Sequence, residues 1–317
     1  MILIIGDLIA DIALHIPAFP IRARELHPVK FLEIGPGGAS NVAIAAARLG
    51  LPVACLAEIG DDLFGQAVLE ALQGEGIETS HVLQGENSRT PVAGVVVDRS
   101  TEPAYLGYPG NLTLDGLPAP WASLIKDSQG IFADGWAENL ANVKWLMEAL
   151  HLAHQAGVPI FFDPGPGNPR LDNAWHRTAI SLATVLLATE EEAAAISGLS
   201  DPVDSGRALL KLGPQLVVIK RGVAGCFLLN QETVHLSPGF PVEAVDATGA
   251  GDTLAAAVIF AWQHGLGLEE MGILANASGA AKVQKMGTGL HVPTREEIQA
   301  LLERFHIDPT LLLKPPD

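Results

Sequence analysis

Cysteine and aromatic side chains are scarce in this chain of 317 residues, with aromatics at only 5%. The only cysteines, Cys55 and Cys226, lie far apart in sequence. No disulfide framework is implied, two thiols cannot build a zinc site, and a reducing compartment is expected. Positive charge is also in short supply: 19 Lys and Arg stand against 36 Asp and Glu, a formal net charge of −17. That balance argues against a broad nucleic-acid or anionic-membrane surface, although backbone amides can still bind a small anion without a basic patch. No apolar run approaches the ~20 residues that span a bilayer. The stretch Met1–Asp7 lacks a basic leader and reaches an aspartate early, so a signal peptide is not expected and a cytoplasmic location is. Several catalytic motifs are missing too. There is no Gly-x-x-x-x-Gly-Lys-[Ser/Thr], no Gly-x-Gly-x-x-Gly after the first apolar run, no His-x-x-x-His and no Gly-x-Ser-x-Gly. P-loop, dinucleotide-binding, zinc-dependent and hydrolase-elbow readings lose their support.

What is present is a recurring apolar pattern. Ile2–Ile5, Val53–Ala57, Ile131–Ala133, Ile160–Phe162, Thr184–Leu187 and Val217–Ile219 are short runs without clean alternation, as strands buried on both faces are. Helical periods fill the intervals at Ser40–Leu49, Phe64–Gln73, Asn139–Gln155, Glu190–Ser197 and Pro202–Leu212. Three longer ones follow at Gly251–Gln263, Leu268–Lys285 and Thr294–Arg304. The alternation predicts an α/β fold with a mainly parallel sheet covered on both faces, all 317 residues forming one domain. Two segments, about 12–34 and 91–108, break the pattern with β-type residues and prolines. Pro91–Asp98 and Pro103–Tyr108 form a predicted hairpin, and Ala13–Ile16 and Val29–Ile34 supply two more strands. Structureless loops of that length are uncommon in compact domains, so a small β-sheet lid is expected.

Two glycine clusters carry the chemistry. Asp246-Ala-Thr-Gly249-Ala250-Gly251-Asp252 runs directly into an apolar helix. Small residues let a phosphate approach the main chain, and the helix start aims free N–H groups and its positive dipole end at the same point. A Gly-rich turn with a capping aspartate has the same appearance. The second cluster, Gly35-Pro-Gly37-Gly38-Ala-Ser-Asn41, leads into a helix of small residues, where Asn41 offers both a donor and acceptors. After the first strand, Asp7 and Asp11 stand in Gly6-Asp-Leu-Ile-Ala-Asp11, at the sheet edge where open α/β sheets bind ligands. Asp163-Pro-Gly-Pro-Gly reads as a strand end bordering the same cleft.

Taken together, Gly37-Gly38-Ala-Ser-Asn41 and, some two hundred residues on, Asp246-Ala-Thr-Gly-Ala-Gly-Asp252 resemble the two signatures of the ribokinase-like carbohydrate kinases of the phosphofructokinase-B type. The resemblance runs from Ile2 to about Pro293. It implies a ribokinase-like three-layer core with a β-sheet lid over a sugar, and ATP with Mg²⁺ as phosphoryl donor. Asp252 is then the catalytic base, with the turn 249–252 and the amides of Ala250, Gly251 and Asp252 as anion hole. Asp11, Gly37, Gly38 and Asn41 hold the sugar. Glu192, in Thr189-Glu-Glu-Glu192, occupies the place of the glutamate that organises Mg²⁺, directly or through water, although Thr189 replaces the usual Asn and the spacing is also that of a capping box. Lys220, Gly222 and Gly225 match the strand and turn lining the nucleotide, with Lys220 where many members carry Thr, and Asn276 matches the helix beside the adenine. Asp246 and the carbonyls near Lys285–Gly289 match a monovalent-cation (K⁺) site of some members.

The resemblance implies ATP-dependent phosphorylation of a hydroxyl on a small sugar. A nucleoside kinase of the same family is the first alternative, and a non-catalytic sugar- or nucleotide-binding protein with a kinase fold the second. Trp136 is a candidate for stacking on a base or a sugar face, or else a core tryptophan, Tyr105 is a lid residue that discriminates the substrate, and Arg22, Arg24 and Arg89 are candidates for reaching the cleft. Free lid edges favour a homodimer through the lid. No nucleic-acid or membrane partner is expected.

Overall fold

The computed structural model describes residues 1–136, 144–165 and 174–312. Its main sheet grows from buried β-branched runs. From one edge inward it contains β1 (Ile2–Ile5) beside β4 (Val53–Leu56), then β9 (Gly130–Asp134), β10 (Ile160–Asp163), β11 (Val185–Thr189) and β12 (Leu216–Lys220). The sheet closes on the hairpin β13 (Cys226–Leu229) and β14 (Val234–Ser237), in the order β14-β13-β12-β11-β10-β9-β1-β4. Pairing is parallel from β4 through β12 and antiparallel in the last two steps. Ile2–Ile5 are fully buried, the expected state of strands with helices on both faces.

One face carries α1 (Ala39–Arg48), α8 (Ala250–Gln263) and α9 (Leu268–Val283). The other carries α4 (Lys144–Ala156), α5 (Ala174–Leu182) and α7 (Pro202–Leu210). The remaining helices are α2 (Leu63–Gly74), α3 (Ala119–Lys126), α6 (Glu190–Ser197) and α10 (Arg295–Arg304). The helix expected over Asn139–Gln155 has its first residues, 139–143, outside the described part. Short elements escaped the pattern: β13, β14, α3 and α5 are only four to nine residues long, and β5 (Glu58–Gly60) and β6 (Leu83–Gly85) form a separate pair.

A second sheet of four strands has the order β3-β2-β7-β8, with β2 (Leu8–His15), β3 (Phe31–Gly38), β7 (Val92–Val97) and β8 (Pro103–Tyr108). The hairpin β7–β8 falls where expected, but the other two strands do not stop within 12–34. The strand β2 starts at Leu8, so Asp11 lies inside it, paired with Gly35, rather than in a turn after β1. Likewise the glycines 35, 37 and 38 continue β3 instead of forming a loop. The reason is steric: a Cβ on Gly37 would overlap the Asp11 carboxyl group, so glycine lets the two strands pair with that carboxylate between them. Gly38, at φ 56°, turns the chain from β3 into α1 in a backbone region that other residues rarely adopt.

Alanine-rich faces on α1, α8 and α9 let these helices pack close, with Ala43, Ala256 and Ala277 all fully buried. Two glycine-led helix starts, those of α1 and α8, are thereby held side by side. A larger side chain there would strain the packing, so Ala256→Leu should destabilise the fold by ~1–3 kcal/mol in urea unfolding. An unchanged midpoint would show that this face tolerates wider spacing.

Candidate active site

The turn before α8 is built by Gly249, which caps the helix in a left-handed conformation at φ 77°. Its carbonyl accepts from the N–H and hydroxyl of Thr253 at 3.0 and 2.8 Å, fixing the first helical turn. The amides of Gly251 and Asp252 lie in that turn, where an α-helix offers no internal partner. The amide of Ala250 differs from expectation: it donates back to the Ala247 carbonyl at 3.2 Å. That leaves the Gly251 and Asp252 amides as the turn's candidates for binding an anion.

Asp252 faces a cavity of about 860 Å³ that also reaches Asp11, Gly38, Asn41, Glu192 and Lys220. Asn41 Nδ2 donates to Asp252 Oδ2 at 2.9 Å, while Asn41 Oδ1 accepts from the Gly289 N–H at 2.7 Å. The backbone donor fixes which end of the amide faces Asp252. Asn41 therefore grips the candidate base with one amide hydrogen while it also lines the cavity. Desolvation raises the Asp252 pKa to about 6, helped by the charge of Asp163 and opposed by Asn41, Lys220 and Lys282. Across the cavity, burial raises Asp11 to about 7 against a hydrogen bond from Thr288.

A charged cluster closes the side nearest Gly251. Lys220 Nζ meets Asp163 Oδ2 at 2.5 Å, and a Cβ on Gly251 would come within 3.5 Å of the same ammonium. Burial pulls the Lys220 pKa down, but Asp163 and Glu192 outweigh it and the net shift is upward. Glu192 is buried and its pKa is raised, by desolvation first. Its Oε2 accepts from the Thr189 N–H at 2.7 Å while Thr189 Oγ1 accepts from the Glu192 N–H at 3.1 Å, so the capping box is formed. Among the described residues no three His, Cys, Asp or Glu side chains gather as a metal cage. Mg²⁺ keeps its waters and is usually carried on phosphates with one or two carboxylates. Glu192 and Asp163 are the carboxylates on this side of the cavity.

Other expected residues lie elsewhere. Gly222 and Gly225 shape the turn between β12 and β13 and do not line the cavity. A Cβ on Gly225 would overlap the Ser237 carbonyl, so close packing requires glycine there. Asn276 is tied to the end of β14, donating to the Ser237 and Pro238 carbonyls at 3.0 and 3.1 Å. Asp246 is buried, with Oδ1 accepting from the Thr248 N–H at 2.9 Å and Oδ2 from the Gly287 N–H at 2.8 Å and facing His15 Nε2 at 3.3 Å. Arg22, Arg24 and Arg89 are exposed and none lines the cavity. Tyr105 and Trp136 do line it and pack edge to face at 5.3 Å. Lys282 also packs against this turn, its Cε 3.5 Å from where a Cβ on Gly249 would stand. Its sequence signal, a lysine in Ala280-Ala-Lys-Val283, is also that of a surface position.

A profile of the pfkB family carbohydrate kinases matches residues 1–295. The chain is 31% identical over 314 residues to the ribokinase of Mus musculus, covering 95% of this chain and 94% of that one. The chain belongs to the pfkB family of carbohydrate kinases. A nucleoside kinase of Methanothermobacter thermautotrophicus is 25% identical, with 98% of each chain covered. The structure of Arabidopsis thaliana ribokinase complexed with ribose and ATP superposes with a TM-score of 0.82 at 23% identity, over 95% of this chain and 98% of that one, and shares the fold. Family membership makes this enzyme a carbohydrate kinase, a phosphotransferase.

The packing of β2 on β3 offers a direct test in this kinase. Gly37→Ala must push the Asp11 carboxylate aside. Losing hydrogen bonds to a charged group costs ~1.5–3 kcal/mol, so KM for the acceptor should rise roughly 10–100-fold with KM for the nucleotide unchanged. An unaltered acceptor KM would remove Asp11 from acceptor binding.

Proposed function

We propose that this kinase transfers the γ-phosphoryl group of ATP to a hydroxyl of a small sugar of the ribose type, with Asp252 as general base. The observation that carries the reading is the placement of Asp252 beside the Gly251 amide at the start of α8, inside the cavity that Asp11 faces from the other side. The sugar lies against Asp11 and Gly38, whose small or acceptor groups suit vicinal hydroxyls. The hydroxyl proton passes to Asp252 as its oxygen attacks the γ-phosphorus in line, the bond to the β-phosphate oxygen breaks, and ADP leaves. Positioning and charge stabilisation supply most of the rate in such chemistry. The Gly251 and Asp252 amides and Lys220 face the migrating group. Mg²⁺, when bound on the phosphates near Glu192, supplies charge neutralisation there. The small sheet acts as a lid whose closure excludes water and suppresses wasteful hydrolysis of ATP.

Leu32 and Leu106, 63% and 66% exposed on the outer side of that sheet, support a homodimer through the lid. Two buried free cysteines fit a cytoplasmic enzyme. No helix among the described residues is long and apolar enough to cross a membrane. The nucleoside reading keeps one specific support, the Tyr105–Trp136 pair, which offers a surface on which a base can stack.

Sugars and nucleosides assayed with ATP-Mg²⁺ by coupled ADP release separate these readings. The prediction is turnover with a pentose and none with nucleosides. No ADP release with any acceptor in the panel would leave a binding protein with a kinase fold. On the accepted sugar, Asp252→Asn should lower kcat by ~10²–10⁴ and leave the ATP Kd near wild type. Wild-type turnover in that variant would take Asp252 out of the mechanism.

Glu192 separates capping from metal organisation. Gln still reaches the Thr189 amide, so Glu192→Gln should keep the wild-type melting temperature while the Mg²⁺ concentration for half-maximal rate rises. Unchanged Mg²⁺ dependence would leave Glu192 as a cap alone.

A further inference from the structure

Lys282 is fully buried near the C-terminal end of α9. A lysine is rarely held there unless its charge is used. Its Nζ donates to the Lys285 carbonyl at 3.1 Å, and its Cε would lie 3.5 Å from a Cβ on Gly249. The Lys282 side chain thus packs against the turn that carries the anion hole, with its ammonium on the Lys285 carbonyl. Asp246 and Asp252 both act on it electrostatically, and Lys285 adds a weaker opposing charge.

This neighbourhood contains the groups that would ligate a monovalent cation, Asp246 and the carbonyls after α9, and those groups do not fit an added ion. Both carboxylate oxygens of Asp246 already accept backbone N–H groups, and one also faces His15. The Lys285 carbonyl accepts the Lys282 ammonium. Amides and an imidazole already engage both Asp246 oxygens, and the ammonium occupies the Lys285 carbonyl where a bare cation would otherwise supply the positive charge.

We propose that the Lys282 ammonium is a built-in monovalent cation for the phosphate-binding turn, so that this kinase needs no K⁺. The proposal rests on the kinase reading above. A fixed positive charge close to Gly249 holds the turn in place and strengthens the Gly251 and Asp252 amides as donors to the charge that develops on the transferred phosphoryl group. It also favours the ionised form of Asp252. Lys282 reaches the substrate only through the turn, so it is a positioning residue. Burial lowers its pKa to about 8, with Asp246 and Asp252 working in the opposite direction.

The test compares full-length wild type and Lys282→Met in tetramethylammonium and in potassium buffers, following melting temperature, ADP affinity and kcat. The wild type should show the same three values in both buffers. Lys282→Met should lose about 10-fold in kcat in tetramethylammonium, less than the ~10²–10³ for deleting a direct oxyanion donor, and Lys282→Arg should lose less. K⁺ or NH₄⁺ should raise the melting temperature and recover part of kcat in Lys282→Met only. A wild-type melting temperature, ADP affinity or rate that rises several-fold or by several degrees with K⁺ would overturn the proposal, even if Lys282→Met failed to fold. So would a Lys282→Met enzyme with wild-type kcat and no response to either cation. Absence of wild-type turnover in both buffers would count against the kinase reading, while the melting and ADP data would still decide the role of Lys282.

Discussion

Negative charge has to be kept ionised in a cavity that exists to receive more negative charge. Asp7, Asp11, Asp134, Asp163, Glu192 and Asp252 all line one cavity. Desolvation pushes Asp7 and Asp11 to about 7 and Asp252 to about 6. Lys220 and Lys282 are the cations that act on Asp252, with the helix start of α8 and the Asn41 amide adding fixed dipoles. The glycine turn, the buried lysines and the backbone-held asparagine all answer that one electrostatic problem. This is also how an acidic protein of net charge −17 handles a phosphate donor: the attraction is local, made by amides and buried ammonium groups.

The same arrangement costs stability. An aspartate whose native pKa is raised holds its proton to higher pH than the unfolded chain does. The native state is therefore favoured below the unfolded value of 3.8 and loses that advantage as pH rises through about 6 to 7 for Asp252, Asp7 and Asp11. The carboxylates are thus poised near neutrality, where a general base works best, at the expense of the empty protein. A bound Mg²⁺-nucleotide would offset the cost by binding only the native state.

The fold was legible because fully buried parallel strands require unbroken apolar runs, and β1, β4, β9, β10, β11 and β12 show them. Short edge strands such as β14, exposed on one side, carry no such mark. The glycine clusters were legible as backbone requirements. Even so, Gly35–Gly38 extends a strand because Asp11 needs the space beside Gly37, and only the pairing of β2 with β3 reveals it. Gly225 and Asn276 show another limit: motif position points toward a nucleotide, and only the fold shows that their contacts also bind the β14 end to its neighbours. Lys282 was invisible because α9 has no clear polar face, and a lysine there signals nothing until α9 is packed beneath Gly249.

The central claim is that Asp252 is a buried carboxylate held in its ionised form by Asn41 and ready to act as base at neutral pH. Carboxyl ¹³C NMR titration of the ligand-free protein, with the Asp252 resonance assigned by its loss in Asp252→Asn, measures this directly. The account predicts a titration near 6 that moves to higher pH in Asn41→Ala, because the ionised form loses its hydrogen bond. A midpoint at the ordinary aspartate value of 3.8, or one that Asn41→Ala leaves unmoved, would contradict it.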